Sequence, residues 1–193
     1  MRMDSMLKLS RRAILGGLIG LAGCDATPPE TARLPNFGGF VSIDPVRYSL
    51  EQSAYLLTER QYLTGRPWEA ARVIAGLEFV TVELRYGPRW TEFSPLASLG
   101  FVRARAEWRS ALGIAADAPP QAVIDAMTAL RNAYAAQSLS AATAALRPPL
   151  FTPGGQESLA RLADLPPLPE TTRAAVSARQ ELYSDQGHRH SAR

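Results

Sequence analysis

Apolar residues recur at helical spacing along most of the chain after residue 43, between residues that typically begin or end helices. Asp44-Pro45 joins an N-cap acceptor to a proline at the first helical position and begins the first such segment. Gly65 and Pro67 end it near Thr64. Tyrosines recur every seven residues along this helix, which places their side chains near one face: Tyr48, Tyr55 and Tyr62.

The second predicted helix runs from Pro67 to Gly87 and is apolar around most of its circumference. Because such helices are normally buried, we expect this one at the centre of a bundle. Glu78 interrupts its apolar surface and needs a cationic partner if it is buried. A structural ion pair with an arginine such as Arg105 or Arg109 is the favoured interpretation, and a general acid or base is the alternative.

Helix starts and stops recur in the same way as far as Tyr183, and candidates for β-strands are few. The further helical segments are residues 94–112, 119–137, 138–146, 156–165 and 170–183. Together they predict an all-α fold in which residues 43–184 form one irregular bundle of about six helices. A chain of about 140 residues can build a hydrophobic core without disulfides. We expect the polar end, residues 185–193, to be disordered.

Near the N-terminus, a basic segment precedes an uncharged run over residues 13–23. A basic region followed by a short apolar one is typical of a secretory signal peptide. As a helix, the eleven uncharged residues would extend about 16 Å, which is too short to cross a bilayer core. Four glycines in the run also argue against a buried helix.

The residues at the end of this run, Leu21-Ala22-Gly23-Cys24, resemble the lipobox of bacterial lipoproteins. The resemblance implies that a diacylglyceryl group is attached to Cys24 and that residues 1–23 are cleaved off as a signal peptide. It also implies an anchor in the lipid bilayer of the bacterial envelope, on the periplasmic side. Asp25 resembles the signal that retains enterobacterial lipoproteins in the inner membrane, and the outer membrane is the alternative.

The motif Ser10-Arg11-Arg12-Ala13-Ile14-Leu15 resembles the twin-arginine export signal. It departs from that family at Ile14, where Phe is more frequent, and at Gly16, where Lys is common. The resemblance implies export of a folded protein, often together with a cofactor or a folded partner. Signals of the general secretory route also carry paired arginines, so that route stays open.

Residues 24–42 are rich in residues that break regular structure: Pro28, Pro29, Pro35, Gly38 and Gly39. They predict a flexible tether of roughly 18 residues that reaches several tens of Å from the bilayer. Its apolar side chains are candidates for docking on the domain: Phe37, Phe40 and Val41.

Cleavage of the signal peptide changes the charge of the protein. It removes four of the 21 Lys and Arg residues and one of the 18 acids, so the mature chain holds 17 of each sign. A neutral chain gives no support for binding nucleic acid. The only lysine, Lys8, leaves with the signal, which excludes Schiff-base chemistry and a Walker-type phosphate lysine. The sequence suggests no cofactor, and a metal site at His188 and His190 would lack further ligands.

Two groups of side chains are candidate ligand sites. The tyrosines Tyr48, Tyr55 and Tyr62 could form an aromatic binding stripe, although core packing with the hydroxyls reaching the rim is the favoured interpretation. Arg103 and Arg105 could join neighbouring arginines in a cluster for a phosphate or carboxylate. The alternative, which we favour, is a solvated face that Glu83, Glu92 and Glu107 neutralise.

The favoured function is an interaction or accessory subunit of an envelope complex, held to the membrane by Cys24 and working with a protein partner. A periplasmic protein that binds a small ligand is the second class. A hydrolase or lyase that uses Glu78 is the third, and no triad, zinc motif or phosphate loop supports it.

Overall fold

The computed structural model describes residues 29–35 and 44–191, with backbone alone for residues 185–191. The first 28 residues, with Arg11, Arg12 and Cys24, lie outside the described residues, as do the candidate docking residues Phe37, Phe40 and Val41. The described part is all-helical, as predicted. Its seven α-helices are α1 Pro45–Thr58, α2 Pro67–Tyr86, α3 Pro95–Leu112, α4 Pro120–Ala135, α5 Leu139–Ala145, α6 Gly155–Ala163 and α7 Pro169–Ser191. None of them is long and apolar enough to cross a membrane.

Helix α2 lies at the centre of the bundle, as its apolar circumference predicted. It packs against α1, α3, α4 and α6, while α7 packs across α1 and α3. Most of its residues are buried, and Glu78 is among them. The largest fully buried side chains around it include Trp108, Phe101 and Phe151. The helix therefore provides the core surface against which the others are arranged.

The first helix ends earlier than expected. The sequence predicted it to continue to about Thr64, but α1 ends at Thr58, and a short 3-10 turn follows over Arg60–Tyr62. Contacts with the end of α6 hold this corner, since Arg60 Nη2 donates to the carbonyl of Leu165 at 2.6 Å. The amide of Gly65 likewise donates to the carbonyl of Ala163 at 2.8 Å. Tertiary contacts thus outweigh the local helical preference.

The last helix begins where predicted but runs further. Both carboxylate oxygens of Glu107 on α3 bind its N-terminus, where they accept from the amides of Glu170 at 3.1 Å and Thr171 at 2.8 Å. A carboxylate that satisfies free amides at a helix start stabilises that helix. The backbone of α7 continues to Ser191, through residues that the sequence had placed in a disordered tail.

Part of the predicted flexible tether lies against the domain. Glu30 binds Arg105 on α3, with Nη1 at 3.0 and 2.9 Å from the two carboxylate oxygens. The amide of Arg33 donates to Oε1 of Gln121 on α4 at 2.7 Å, and Ala32 between them is buried. We call residues 29–35 the docked segment. Its contacts join residues that are far apart in the sequence, and no periodic pattern in the tether predicts them.

Candidate functional site

The candidate tyrosines separate into a stacked pair and a single residue. The rings of Tyr55 and Tyr62 stack with centroids 5.7 Å apart and planes at 25°. Both side chains are exposed, at 46% and 41%. Tyr48 lies apart from the stack, and its hydroxyl accepts a hydrogen bond from Nη1 of Arg72 at 2.9 Å. The favoured interpretation of these tyrosines as core residues therefore does not fit Tyr55 and Tyr62.

The stacked pair lines an open groove of about 360 Å³ between α1 and the start of α2. We call it the tyrosine–arginine groove, and its lining residues are Gln52, Tyr55, Leu56, Tyr62, Arg66, Glu69 and Arg72. Three of these side chains are charged and recur every third residue at the start of α2, which puts neighbours in this row on the same surface. The three-residue spacing of these charges is the signal in the sequence that predicts this row.

Two arginines and one glutamate line this groove. Glu69 forms a short ion pair with Arg72, while the guanidinium of Arg66 is exposed and has no ion pair with a described residue. Arg131 on α4 adds a further charge nearby. Burial lowers the pKa of Arg131 below the ordinary value for arginine, and the positive charge of Arg72 lowers it further. A cationic, partly desolvated surface of this kind favours carboxylate or phosphate groups.

The pKa of the Tyr55 phenol is shifted by its neighbours in the groove. The neighbouring hydroxyl of Tyr62 is the main cause that raises the pKa of Tyr55 above its ordinary value of 10.0. Partial burial and the negative charge of Glu59 act in the same direction. The hydroxyl of Tyr55 therefore keeps its proton at physiological pH.

Glu78 is engaged in the interior and is inaccessible to solvent. Its Oε1 accepts from Nε1 of Trp108 at 3.0 Å and from Nε of Arg109 at 2.8 Å, while Oε2 accepts from Nη2 of Arg109 at 2.8 Å. Arg105 Nε lies 3.5 Å from Oε2. The predicted ion pair with Arg105 or Arg109 is confirmed, because Glu78 contacts both arginines.

A chain of alternating charges connects Glu78 to the surface. Arg109 and Arg105 flank Glu78 inside the bundle, and Arg105 also binds Glu30 of the docked segment. Two carboxylates and two guanidiniums thus compensate one another. The pairing of opposite charges is typical of a structural network, although Nε and Nη2 of Arg105 are buried without a hydrogen-bond partner among the described residues.

The structure does not join Arg103 and Arg105 into one cluster. Arg105 points into the bundle and is 15% exposed, whereas Arg103, two residues earlier, is exposed and has no ion pair with a described residue. Residues two apart on a helix do not face each other. Glu107, which we expected to neutralise these arginines, instead binds the start of α7.

No metal site is visible in the part of the chain that the structure describes. There, no three His, Cys, Asp or Glu side chains come close enough together to hold an ion. The side chains of His188 and His190 lie outside the described set.

Compared with known proteins, the chain matches no protein-family model, no curated protein and no solved structure. The proposals on its function therefore rest on its own residues. The tyrosine–arginine groove is the candidate site in which aromatic and charged side chains are exposed together.

Proposed function

We propose that this protein is a lipoprotein of the bacterial envelope, anchored at Cys24 on the periplasmic face of the inner membrane, and that it acts as an interaction or accessory subunit of an envelope complex. The lipobox resemblance and Asp25 support the anchor and its location. The single observation that carries the interaction role is the exposed stack of Tyr55 and Tyr62 beside Arg66.

Tyrosine and arginine are the residue types that contribute most to protein–protein binding when a partner covers them. In this groove the two aromatic rings are held against each other, so little side-chain freedom remains to be lost on binding. The exposed guanidinium of Arg66, which has no ion pair among the described residues, adds a donor for an acidic group. A partner that inserts an acidic or carbonyl-rich segment beside the rings would match this chemistry.

Photo-crosslinking in native membranes tests the interaction role. A photoreactive phenylalanine analogue replaces Tyr62 in the full-length tagged protein, and the crosslinked species are identified by mass spectrometry. A single stoichiometric protein adduct is expected. The matched control carries the same analogue at Leu139, an exposed apolar residue on α5. Equal labelling at both positions, or none at Tyr62, would contradict the proposed role.

The anchor and the export route have separate tests. Cys24→Ala is expected to stop lipidation and to leave the precursor uncleaved or to release the protein from membranes. Replacement of Arg11 and Arg12 by lysine is expected to block export through the twin-arginine route. Unchanged processing of Cys24→Ala would refute the lipoprotein assignment, and continued export of the double-lysine variant would indicate the general secretory route.

A small ligand in the same groove is the second candidate function. The guanidinium groups of Arg66 and Arg72 beside the stacked rings favour an aromatic ligand with a phosphate or carboxylate. Phenyl phosphate is a suitable calorimetric probe, with phenol as the uncharged comparison. Binding of phenyl phosphate that is lost in Arg66→Ala would favour this candidate, whereas absence of binding to the unmodified protein would count against it.

A reaction at Glu78 is the least supported candidate. Catalysis requires a group that a substrate can reach, and Glu78 is buried with both oxygens occupied by Trp108 and Arg109. Its geometry supports a role in stability instead.

A further inference from the structure

The outer face of α3 carries a row of exposed apolar side chains. Leu96, Leu99 and Val102 are all exposed, and Leu96 reaches 80%. Residues three apart on a helix are neighbours on its surface, so each member of this row adjoins the next. One further step of three residues leads from Val102 to Arg105, which turns into the bundle and binds the docked segment.

The docked segment brings the Val102 end of this row close to the proposed lipid anchor. Cys24 precedes Pro29, the first residue of the docked segment, by five residues, which span at most about 18 Å even when fully extended. Glu30 is fixed to Arg105. The docked segment thus replaces a long flexible tether with a short one, and the flank of α3 beside Val102 is held near the bilayer. This step rests on the proposed lipidation of Cys24.

Exposed residues that precede the row in sequence, or lie on α3 itself, have the chemistry of a membrane interface. Tyr86, at the end of α2, is exposed, and the guanidinium of Arg85 lies 5.9 Å from the centre of its ring. Arg103 on α3 is exposed as well. Tyrosine is enriched at the headgroup level of membranes, and arginine can place its aliphatic stem along apolar surface while its charge stays in the polar layer.

We propose that the row Leu96, Leu99 and Val102 is a membrane-contacting surface, which rests on the lipid headgroup region when the protein is anchored through Cys24. The occupant is the lipid surface itself. The anchor and the row act together, because a single lipid-modified residue gains affinity when a second element adds apolar contact. The domain is then held in one orientation on the bilayer rather than free to rotate on a long tether.

Spin-label accessibility on the mature, lipidated protein in phospholipid vesicles tests this orientation. A nitroxide is attached to Leu96→Cys in one variant and to Leu139→Cys in a matched control, since Leu139 is also an exposed leucine and lies on α5. Collisions with lipid-soluble oxygen are compared with collisions with a water-soluble nickel complex. Cys24 is the only natural cysteine and its thiol is blocked by lipidation, so one label per chain is expected.

The expected result is a several-fold excess of oxygen over nickel collisions at position 96 and the reverse at position 139. Equal water accessibility at both positions would overturn the membrane contact while leaving the anchor in place. Low accessibility to both reagents at position 96 would mean that protein covers the row, and would overturn it too. Two labels per chain would show a free Cys24 thiol, so that the proposed lipidation and this inference fail together.

A second variant tests the role of the docked segment. Glu30→Ala removes the ion pair to Arg105, so the segment detaches more readily and the tether lengthens. The oxygen-to-nickel ratio at position 96 is expected to fall towards the value at position 139 while the protein stays bound to the vesicles. An unchanged ratio would contradict the idea that the short tether sets the orientation.

Discussion

Arg109 donates two parallel hydrogen bonds of 2.8 Å to Glu78 in the interior of the bundle, from Nε to Oε1 and from Nη2 to Oε2. Two-point contacts of this kind fix both partners in direction as well as in distance. The pair joins α2 to α3, and Nη1 of Arg109 extends the connection to the carbonyl of Ala116 at 2.9 Å. One ion pair therefore positions the central helix, its neighbour and the loop that follows.

Removal of one partner of this pair is expected to be costly. Glu78→Ala leaves the guanidinium of Arg109 buried without a counter-charge, and such changes lower the free energy of unfolding by about 3–5 kcal/mol. The combined change Glu78→Leu and Arg109→Met should recover much of that loss, because neither charge then remains buried. Urea unfolding followed by circular dichroism measures both, and a Glu78→Ala variant as stable as the original protein would contradict the structural role.

The start of α7 offers a smaller and separable effect. Glu107→Ala removes the acceptor for the amides of Glu170 and Thr171, and loss of a cap of this type costs about 0.5–2 kcal/mol. Glu157→Ala is the matched control, since it removes an exposed ion pair with Arg161 that is worth less than about 1 kcal/mol. If the two variants had equal unfolding midpoints in urea, the cap would not be contributing.

Substitutions at Gly113 and Gly65 allow the backbone strain caused by an added side chain to be separated from its steric clash with neighbouring atoms. Both have positive φ, at 67° and 71°, which favours glycine. A Cβ at Gly113 would lie 2.5 Å from the ring of Pro153, whereas one at Gly65 would meet nothing within 4 Å. Gly65→Ala should therefore cost about 1 kcal/mol from backbone strain alone, and Gly113→Ala distinctly more. Equal losses in thermal unfolding would mean that Pro153 moves aside freely.

Local signals in the sequence predicted the helices well because each acts within a few residues. Asp44 caps α1 as expected and accepts from the amides of Val46 and Arg47 at 3.0 and 3.4 Å. Pro67 and Pro95 likewise stand at the first positions of α2 and α3. The end of α1 could not be located in this way, because the contact of Arg60 with Leu165 joins residues 105 positions apart.

The candidate site could be predicted less well from the sequence, because its contacts also join residues that are far apart along the chain. A seven-residue spacing predicted that Tyr48, Tyr55 and Tyr62 share one face of a helix. However, α1 ends before Tyr62, and of the three only Tyr55 and Tyr62 stack. The partner of Tyr48 is Arg72, 24 residues away on another helix. Periodicity indicates which residues share a face of one helix, and it contains no information on which helix lies opposite.

Titration of Tyr55 tests the local environment of the groove. Its folded-state pKa is raised above 10.0, chiefly by the interaction with Tyr62, so the folded protein holds the phenolic proton more tightly than the unfolded chain does. The stability that comes from this difference is present below about pH 10 and is lost as pH rises through the folded-state pKa. In Tyr62→Phe the pKa of Tyr55 should fall towards 10.0, measured by NMR of ring-labelled tyrosine. Glu51→Gln, which affects the raised pKa of Tyr183, should leave Tyr55 unchanged.

Limited proteolysis can report directly on the docked segment. Arg33 is a trypsin site whose backbone is held by Gln121: its amide donates to Oε1 at 2.7 Å, and its carbonyl accepts from Nε2 at 3.2 Å. Proteases cut segments that have detached from the fold. Combined replacement of Glu30 and Gln121 by alanine should therefore increase the rate of cleavage after Arg33 several-fold.

The control for this experiment is Gln61→Ala, which removes an exposed hydrogen bond to Glu59 and no contact of the docked segment. Its cleavage rate after Arg33 should equal that of the unmodified protein, while the circular dichroism of all variants stays the same. If the double variant were cleaved no faster, the contacts of Glu30 and Gln121 would not hold the segment. The tether would then regain its full length from Cys24 to Asp44, and the orientation proposed for α3 on the membrane would lose its physical cause.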